Sequence, residues 1–103
     1  MSGLDNTSFT VRTATGTTDT LLATDSVVIY TNTAAKAVTV PAVSDLTPGR
    51  LYTVVNTATG AVTITTTDAT IDGAATYVVP ATLGRVQFVN DGTNWFTVSE
   101  VVV

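Results

Sequence analysis

Asn32-Thr-Ala-Ala-Lys-Ala-Val-Thr-Val40, Asn56-Thr-Ala-Thr-Gly-Ala-Val-Thr-Ile64 and Asn90-Asp-Gly-Thr-Asn-Trp-Phe-Thr-Val98 are three segments with one pattern. Each begins with Asn, ends in an apolar-Thr-apolar triplet, and follows a short apolar run. Asn and Gly adopt the φ > 0 conformations of tight turns, so an apolar run, an Asn-led turn and a second run are typical of a β-hairpin. We therefore predict three hairpins, over residues 27–40, 51–66 and 85–98.

The rest of the chain also favours short strands. No segment has a sustained apolar period of 3.6 residues, and two apolar runs stop at Pro41 and Pro80, which cannot donate to a strand ladder. We predict an all-β domain of short, mostly antiparallel strands over residues 8–103, arranged as a sandwich, a barrel or a short solenoid. Residues 1–7 are polar and carry Gly3, which predicts a flexible N-terminal arm. Lys36, in the turn of the first hairpin, is expected to be exposed.

Composition limits the classes of partner. Charged residues make up 12% of the 103 residues, about half the usual share, whereas hydrophobic residues make up 45%. Such a surface is expected when a protein partner covers part of it. The net charge is −4 and the four basic residues are scattered, which argues against nucleic-acid binding. The apolar runs are too short to cross a membrane, and the absence of cysteine excludes a disulfide framework.

The sequence contains no pattern typical of a catalytic or metal centre. There is no His and no Cys, so Ser-His and Cys-His nucleophiles and ordinary zinc sites are absent. Two pairs of carboxylates remain, Asp19 with Asp25 and Asp68 with Asp72, and both lie beside Gly, Thr or Ser, where Asp commonly caps turns. We therefore predict a protein that is not an enzyme and has no catalytic, cofactor or metal site.

A few apolar residues are candidates for an interface. Trp95 and Phe96 are neighbours in a predicted strand, so their side chains point to opposite faces, one towards the core and the other towards a second sheet or an interface. The C-terminal run is apolar on both faces, and such a strand needs cover on both. The candidate interface residues are Phe9, Val11, Trp95, Phe96, Val101, Val102 and Val103.

Six blocks of sequence together resemble a module widespread in virion proteins of tailed bacteriophages. In order along the chain they are Leu21–Tyr30, Ala37–Ala42, Thr47–Asn56, Gly60–Ile64, Ile71–Tyr77 and Asn90–Trp95. The module occurs in tail fibres, head fibres and capsid decoration proteins. The resemblance covers about residues 20–98 and implies a trimeric β-module with a structural or attachment role and no enzymatic one.

The size of the chain favours one of these virion roles. A compact trimeric knob with a short arm is sufficient for a capsid decoration (cement) protein, whereas a receptor-binding fibre also needs an anchor and a shaft. The acidic balance suits the outer surface of the head. We therefore expect a homotrimer that is assembled in the host cytoplasm, binds the major capsid protein on the outside of the virion and stabilises the shell. The alternatives are a head-fibre or small tail-fibre, receptor-binding tip and, from another class, a carbohydrate-binding module in which exposed Trp95, Tyr52 or Tyr77 stacks on sugar rings.

Overall fold

Nine short β-strands form the described part of the chain. The computed structural model describes residues 10–32 and 34–101. The strands are β1 (Val11–Ala14), β2 (Thr18–Thr20), β3 (Val27–Tyr30), β4 (Lys36–Thr39), β5 (Leu51–Asn56), β6 (Val62–Thr65), β7 (Thr76–Val79), β8 (Gly84–Asn90) and β9 (Trp95–Val101). Val43–Asp45 form one turn of 3-10 helix, and the described residues contain no α-helix. The predicted all-β character is confirmed.

The strands form two sheets, and the first six alternate between them. One sheet has the order β1-β3-β5-β8-β9 and the other has the order β2-β4-β6-β7. From β3 to β6, each strand pairs in parallel with the strand two positions earlier, so the chain winds through three coils of a short solenoid. The last three strands return in antiparallel pairing and complete both sheets. Neither sheet closes on itself, so the fold is not a barrel.

Only one of the three predicted hairpins is present. β8 and β9 pair in antiparallel fashion around the turn after Asn90, as predicted for residues 85–98. In the other two segments the flanking strands lie in different sheets, so the Asn-led turns are arches that carry the chain from one sheet to the other. An arch and a hairpin have the same local pattern, because both join two apolar runs through a short turn. Four of the seven ladders are parallel, so the expectation of mostly antiparallel strands is also corrected.

The inner faces of the two sheets enclose the core. Alternate residues of the strands, such as Val28 and Tyr30 in β3 and Val62 and Ile64 in β6, are fully buried between the sheets. Tyr52, Phe88 and Trp95 form an aromatic cluster in which the ring centroids lie 5.2–5.8 Å apart. This separation suits the tilted and edge-to-face contacts that aromatic rings prefer. The core therefore depends on aliphatic and aromatic burial between two sheets.

The three repeated Asn residues bond the backbone at the turns. Asn56 Nδ2 donates to the carbonyl oxygens of Gly60 and Val79 (3.0 and 3.1 Å), and its Oδ1 accepts from the Ala58 N–H (2.9 Å). Asn90 repeats this arrangement: Nδ2 donates to the Thr47 carbonyl oxygen and Oδ1 accepts from the N–H two residues further on. Among these three residues only Asn32 has a positive φ, of 90°. Side-chain hydrogen bonding, more than φ, therefore explains why Asn begins each turn.

Candidate interaction surface

The five-stranded sheet is apolar on its outer face as well as on its inner face. Val28, Tyr30, Val54 and Phe88 point inwards and are buried, so their neighbours along each strand point outwards. The strand register aligns these outward residues across the sheet. We call the following set the outer apolar face: Val11, Val27, Ile29, Leu51, Val55, Val89, Phe96 and Val101.

Much of the outer apolar face is open to solvent. The exposed fractions are 62% for Val11, 45% for Phe96, 40% for Val101 and 39% for Leu51. The four other members are half-buried by their neighbours on the face. Arg85, between Val55 and Val101 in the register, is the only charged residue that the described strands place on this face. Polar residues, among them Thr53 and Gln87, interrupt the apolar positions, but a sheet face with this many exposed apolar residues is typical of an interaction site.

The outer face of the four-stranded sheet has a different composition. Thr20, Thr39, Thr65 and Thr76 lie opposite one another in the register of β2, β4, β6 and β7, and all four are exposed. Threonine suits such a position because its β-branched carbon favours a strand while its hydroxyl group bonds water. The two outer faces of the protein therefore differ, since one is rich in threonine and the other is rich in apolar residues.

An open groove of about 460 Å³ lies at one end of the outer apolar face. Its floor includes Val27, Leu51, Thr53 and Gln87, and the loop of residues 47–50 forms part of its wall. Gln87 Nε2 donates to Thr53 Oγ1 (3.1 Å), so these polar side chains satisfy each other. Arg50 also lines the groove, so its lining is largely apolar with one cationic group.

The predicted interface residues separate into three groups. Val11, Phe96 and Val101 belong to the outer apolar face. Trp95 is fully buried in the aromatic cluster, so it is removed from the interface candidates. Phe9, Val102 and Val103 lie outside the described residues. The opposite orientations predicted for Trp95 and its neighbour are found, with the ring of Trp95 in the core.

Five members of the outer apolar face were missed by sequence reasoning: Val27, Ile29, Leu51, Val55 and Val89. A signal for several of them was present, because Val27-Val28-Ile29 is apolar at successive positions. In a strand, successive side chains point to opposite faces, so an unbroken apolar run marks a strand that is apolar on both. The same signal occurs at Val54-Val55.

The aspartate pairs have structural partners in the described chain. Asp72 accepts hydrogen bonds from the N–H and the hydroxyl of Thr97 (2.9 and 2.6 Å), and it has a positive φ, as does Asp68. Asp19 and Asp25 come together, but around Arg12: its guanidinium donates to Asp19 Oδ1 and Oδ2 (both 2.9 Å) and to Asp25 Oδ2 (2.8 Å). Asp19 and Asp25 therefore serve ion pairing, and Asp72 serves contacts to Thr97.

Arg12, Asp19, Asp25 and Tyr30 form one polar cluster. Tyr30 donates its hydroxyl to Asp19 Oδ2 (2.6 Å). Burial alone would raise the pKa of Asp19, but the hydrogen bonds from Arg12 and Tyr30 outweigh it, so this pKa lies below its usual value. Burial is the main reason that the pKa of Tyr30 is raised, and the hydrogen bond to Asp19 raises it further. The hydrogen bonds to Asp19 and Asp25 raise the pKa of Arg12. The cluster is thus a stable ion pair with a neutral phenol at ordinary pH.

Within residues 10–32 and 34–101, no group of three or more His, Cys, Asp or Glu side chains is placed to hold a metal ion. In the same part of the chain, no helix has the length and apolar character needed to cross a membrane. The sequence matches no protein-family model, and comparison with curated proteins finds no match.

Proposed function

We propose that this chain is a capsid decoration protein of a tailed bacteriophage, which binds the outer surface of the head as a homotrimer and stabilises the shell by bridging copies of the major capsid protein. The outer apolar face is the observation that carries the proposal. The resemblance of residues 20–98 to virion β-modules supplies the class of protein, and the apolar face supplies the surface through which copies associate. The protein acts by binding the assembled shell and not its separated subunits.

The distribution of exposed apolar groups supports self-association. Phe96 and Val101 lie on β9, at one edge of the five-stranded sheet, and Val11 lies on β1, at the opposite edge. The apolar face therefore crosses the whole sheet, and two neighbouring copies can cover it from different sides in a closed ring. The Thr-rich face of the other sheet then remains towards solvent.

The carbohydrate-binding alternative loses its main support. Stacking on a sugar ring needs an exposed aromatic platform, but Tyr52 and Trp95 are fully buried. Tyr77 is half-buried, and its environment raises its pKa to about 12, mainly by burial and then by a hydrogen bond to Glu100. Two of the three rings are therefore closed to a glycan.

Light scattering on matched variants tests the proposed assembly. Phe96→Asp places a charge on the outer apolar face, and Val78→Asp makes the same kind of change at a valine that is 53% exposed on the other sheet. We expect a trimer for the wild type and for Val78→Asp, and a monomer for Phe96→Asp that keeps its β-type circular dichroism. Co-sedimentation with capsids that lack their decoration protein should follow the same order. A monomeric wild type, or equal behaviour of the two variants, would contradict the proposal.

A further inference from the structure

The first coil contributes almost nothing to the apolar core. We define the first coil as residues 10–20, which contain β1, β2 and the turn between them. Every residue of the buried core lies between Leu21 and Trp95, and from the first coil only Ala14 packs against it, partly buried. The inward positions opposite Val28 and Val38 are occupied by Arg12 and Asp19, which are charged. Polar contacts therefore hold the first coil more than apolar burial does.

The contacts between the first coil and the rest of the protein are mostly polar, and they begin at Thr10, whose Oγ1 donates to the Thr24 carbonyl oxygen (2.6 Å). Arg12 bonds Asp25 through Nε (3.2 Å) and Nη2 (2.8 Å), and Tyr30 bonds Asp19. Lys36 Nζ donates to the carbonyl oxygens of Thr15 and Gly16 (3.1 and 2.8 Å). Asn32 also donates to Thr15. The ladders add four residue pairs with β3 and three with β4.

We propose that the first coil opens as a unit while β3 to β9 stay folded, and that the bonds from Arg12 to Asp25 and from Tyr30 to Asp19 are the clasp that closes it. Opening leaves the Arg12–Asp19 pair intact within the coil, exchanges the other polar contacts for water and uncovers part of Val28, Tyr30 and Val38, the core residues that pair with the coil. Global unfolding, in contrast, exposes the whole apolar core. The coil therefore belongs to the low-stability end of the range of local opening reactions.

Opening would give the protein two new pairing edges. β3 and β4 are interior strands while the coil is closed, and they become edge strands with unpaired backbone N–H and C=O groups when it opens. The clasp therefore controls the exposure of these two edges. The inference does not depend on the proposed virion role.

Residue-resolved hydrogen exchange tests the opening. The amides of Val27, Thr31 and Ala37 lie outside the first coil but donate to Thr10, Ala14 and Thr17. In the wild type we expect these amides to exchange together with those of the coil, at least tenfold faster than the slowest amides of β5 and β8. Exchange of all strands at one rate would overturn the proposal.

The clasp is tested by Asp25→Asn, with Asp45→Asn in the exposed 3-10 turn as the control. Asn keeps an oxygen that can accept the Leu22 N–H, which now bonds Asp25 Oδ2 (2.8 Å), but it loses the charge that holds Arg12. We expect the coil amides to exchange about tenfold faster in Asp25→Asn and at the wild-type rate in Asp45→Asn, with β5 and β8 unchanged in both. An equal acceleration in β5 and β8 would refute the clasp. If Asp25→Asn fails to fold, Arg12→Gln makes the same test from the other side of the clasp.

Discussion

Replacing the buried Asn56 by Ala should cost much more stability than replacing the exposed Asn32, although the two residues begin the same sequence pattern. Asn56 has no exposed surface, and its amide makes three hydrogen bonds to the backbone. Truncation removes two donors to the carbonyl oxygens of Gly60 and Val79, at about 1 kcal/mol each. It also leaves the buried Ala58 N–H without its acceptor, at about 1–3 kcal/mol. The expected loss is about 3–5 kcal/mol.

Urea denaturation at one protein concentration measures this loss. The concentration is fixed because the unfolding of any oligomer depends on it. With a slope of about 1.5 kcal/mol per molar urea, the midpoint of Asn56→Ala should fall by roughly 2–3 M. We expect Asn32→Ala to lose only about 1–2 kcal/mol, because its bond to Thr15 is solvent-exposed and the main cost is that Ala tolerates the φ of 90° less well than Asn does. Midpoints of the two variants within about 0.5 M of each other would refute the view that side-chain bonding explains the repeated Asn.

Two further predictions concern backbone packing and acid stability. A Cβ on Gly60 would lie 2.4 Å from the Ala35 nitrogen, so Gly60→Ala should lower the free energy of unfolding by about 2 kcal/mol or more. A Cβ on Gly16 would lie 3.6 Å from its nearest neighbour, so Gly16→Ala is the control and should show no measurable loss in the same titration. Because the folded-state pKa of Asp19 is lowered, its stabilising effect is complete above the unfolded value of about 3.9 and is lost as the pH falls through the folded value. As the pH is lowered below 5, the urea midpoint should therefore fall less steeply for Asp19→Asn than for the wild type. Parallel curves of midpoint against pH would contradict this prediction.

Local sequence was sufficient for the strands, but it did not specify their partners. The alternation at Trp95-Phe96 correctly placed one ring inside and one outside, and Gly92 has the positive φ that the Asn90-Asp-Gly turn requires. The arches were missed because Val27 pairs with Thr53, one coil further along the chain, and not with its neighbour after the turn. Nothing within a ten-residue segment distinguishes these two pairings. The recurrence of the segment at a spacing of one coil was the available signal.

Lys36 shows why a turn residue cannot be assumed to be exposed. The sequence placed it in a polar turn, but it is the first residue of β4, 3% exposed, and it points inwards. Its ammonium group reaches the carbonyl oxygens of the turn in the first coil, which belong to a different part of the sequence. A buried Lys is tolerated when its donors are satisfied in this way. The outer apolar face was only partly predicted for a related reason, since it joins residues from five strands.

The edges of the two sheets are protected against pairing, which supports the proposed association through a face. Each edge strand has a feature that natural proteins use against edge-to-edge pairing. β1 and β2 direct the charged side chains of Arg12 and Asp19 inwards. β7 is short and is followed by Pro80. β9 carries a β-bulge, where its register with β8 shifts between Gln87 and Phe88. Pairing through edges tends to grow without limit, whereas contact between faces around a rotation axis closes after a fixed number of copies. With its edges protected, the protein has the outer apolar face as its main surface for association, and this is consistent with the closed trimer that we propose.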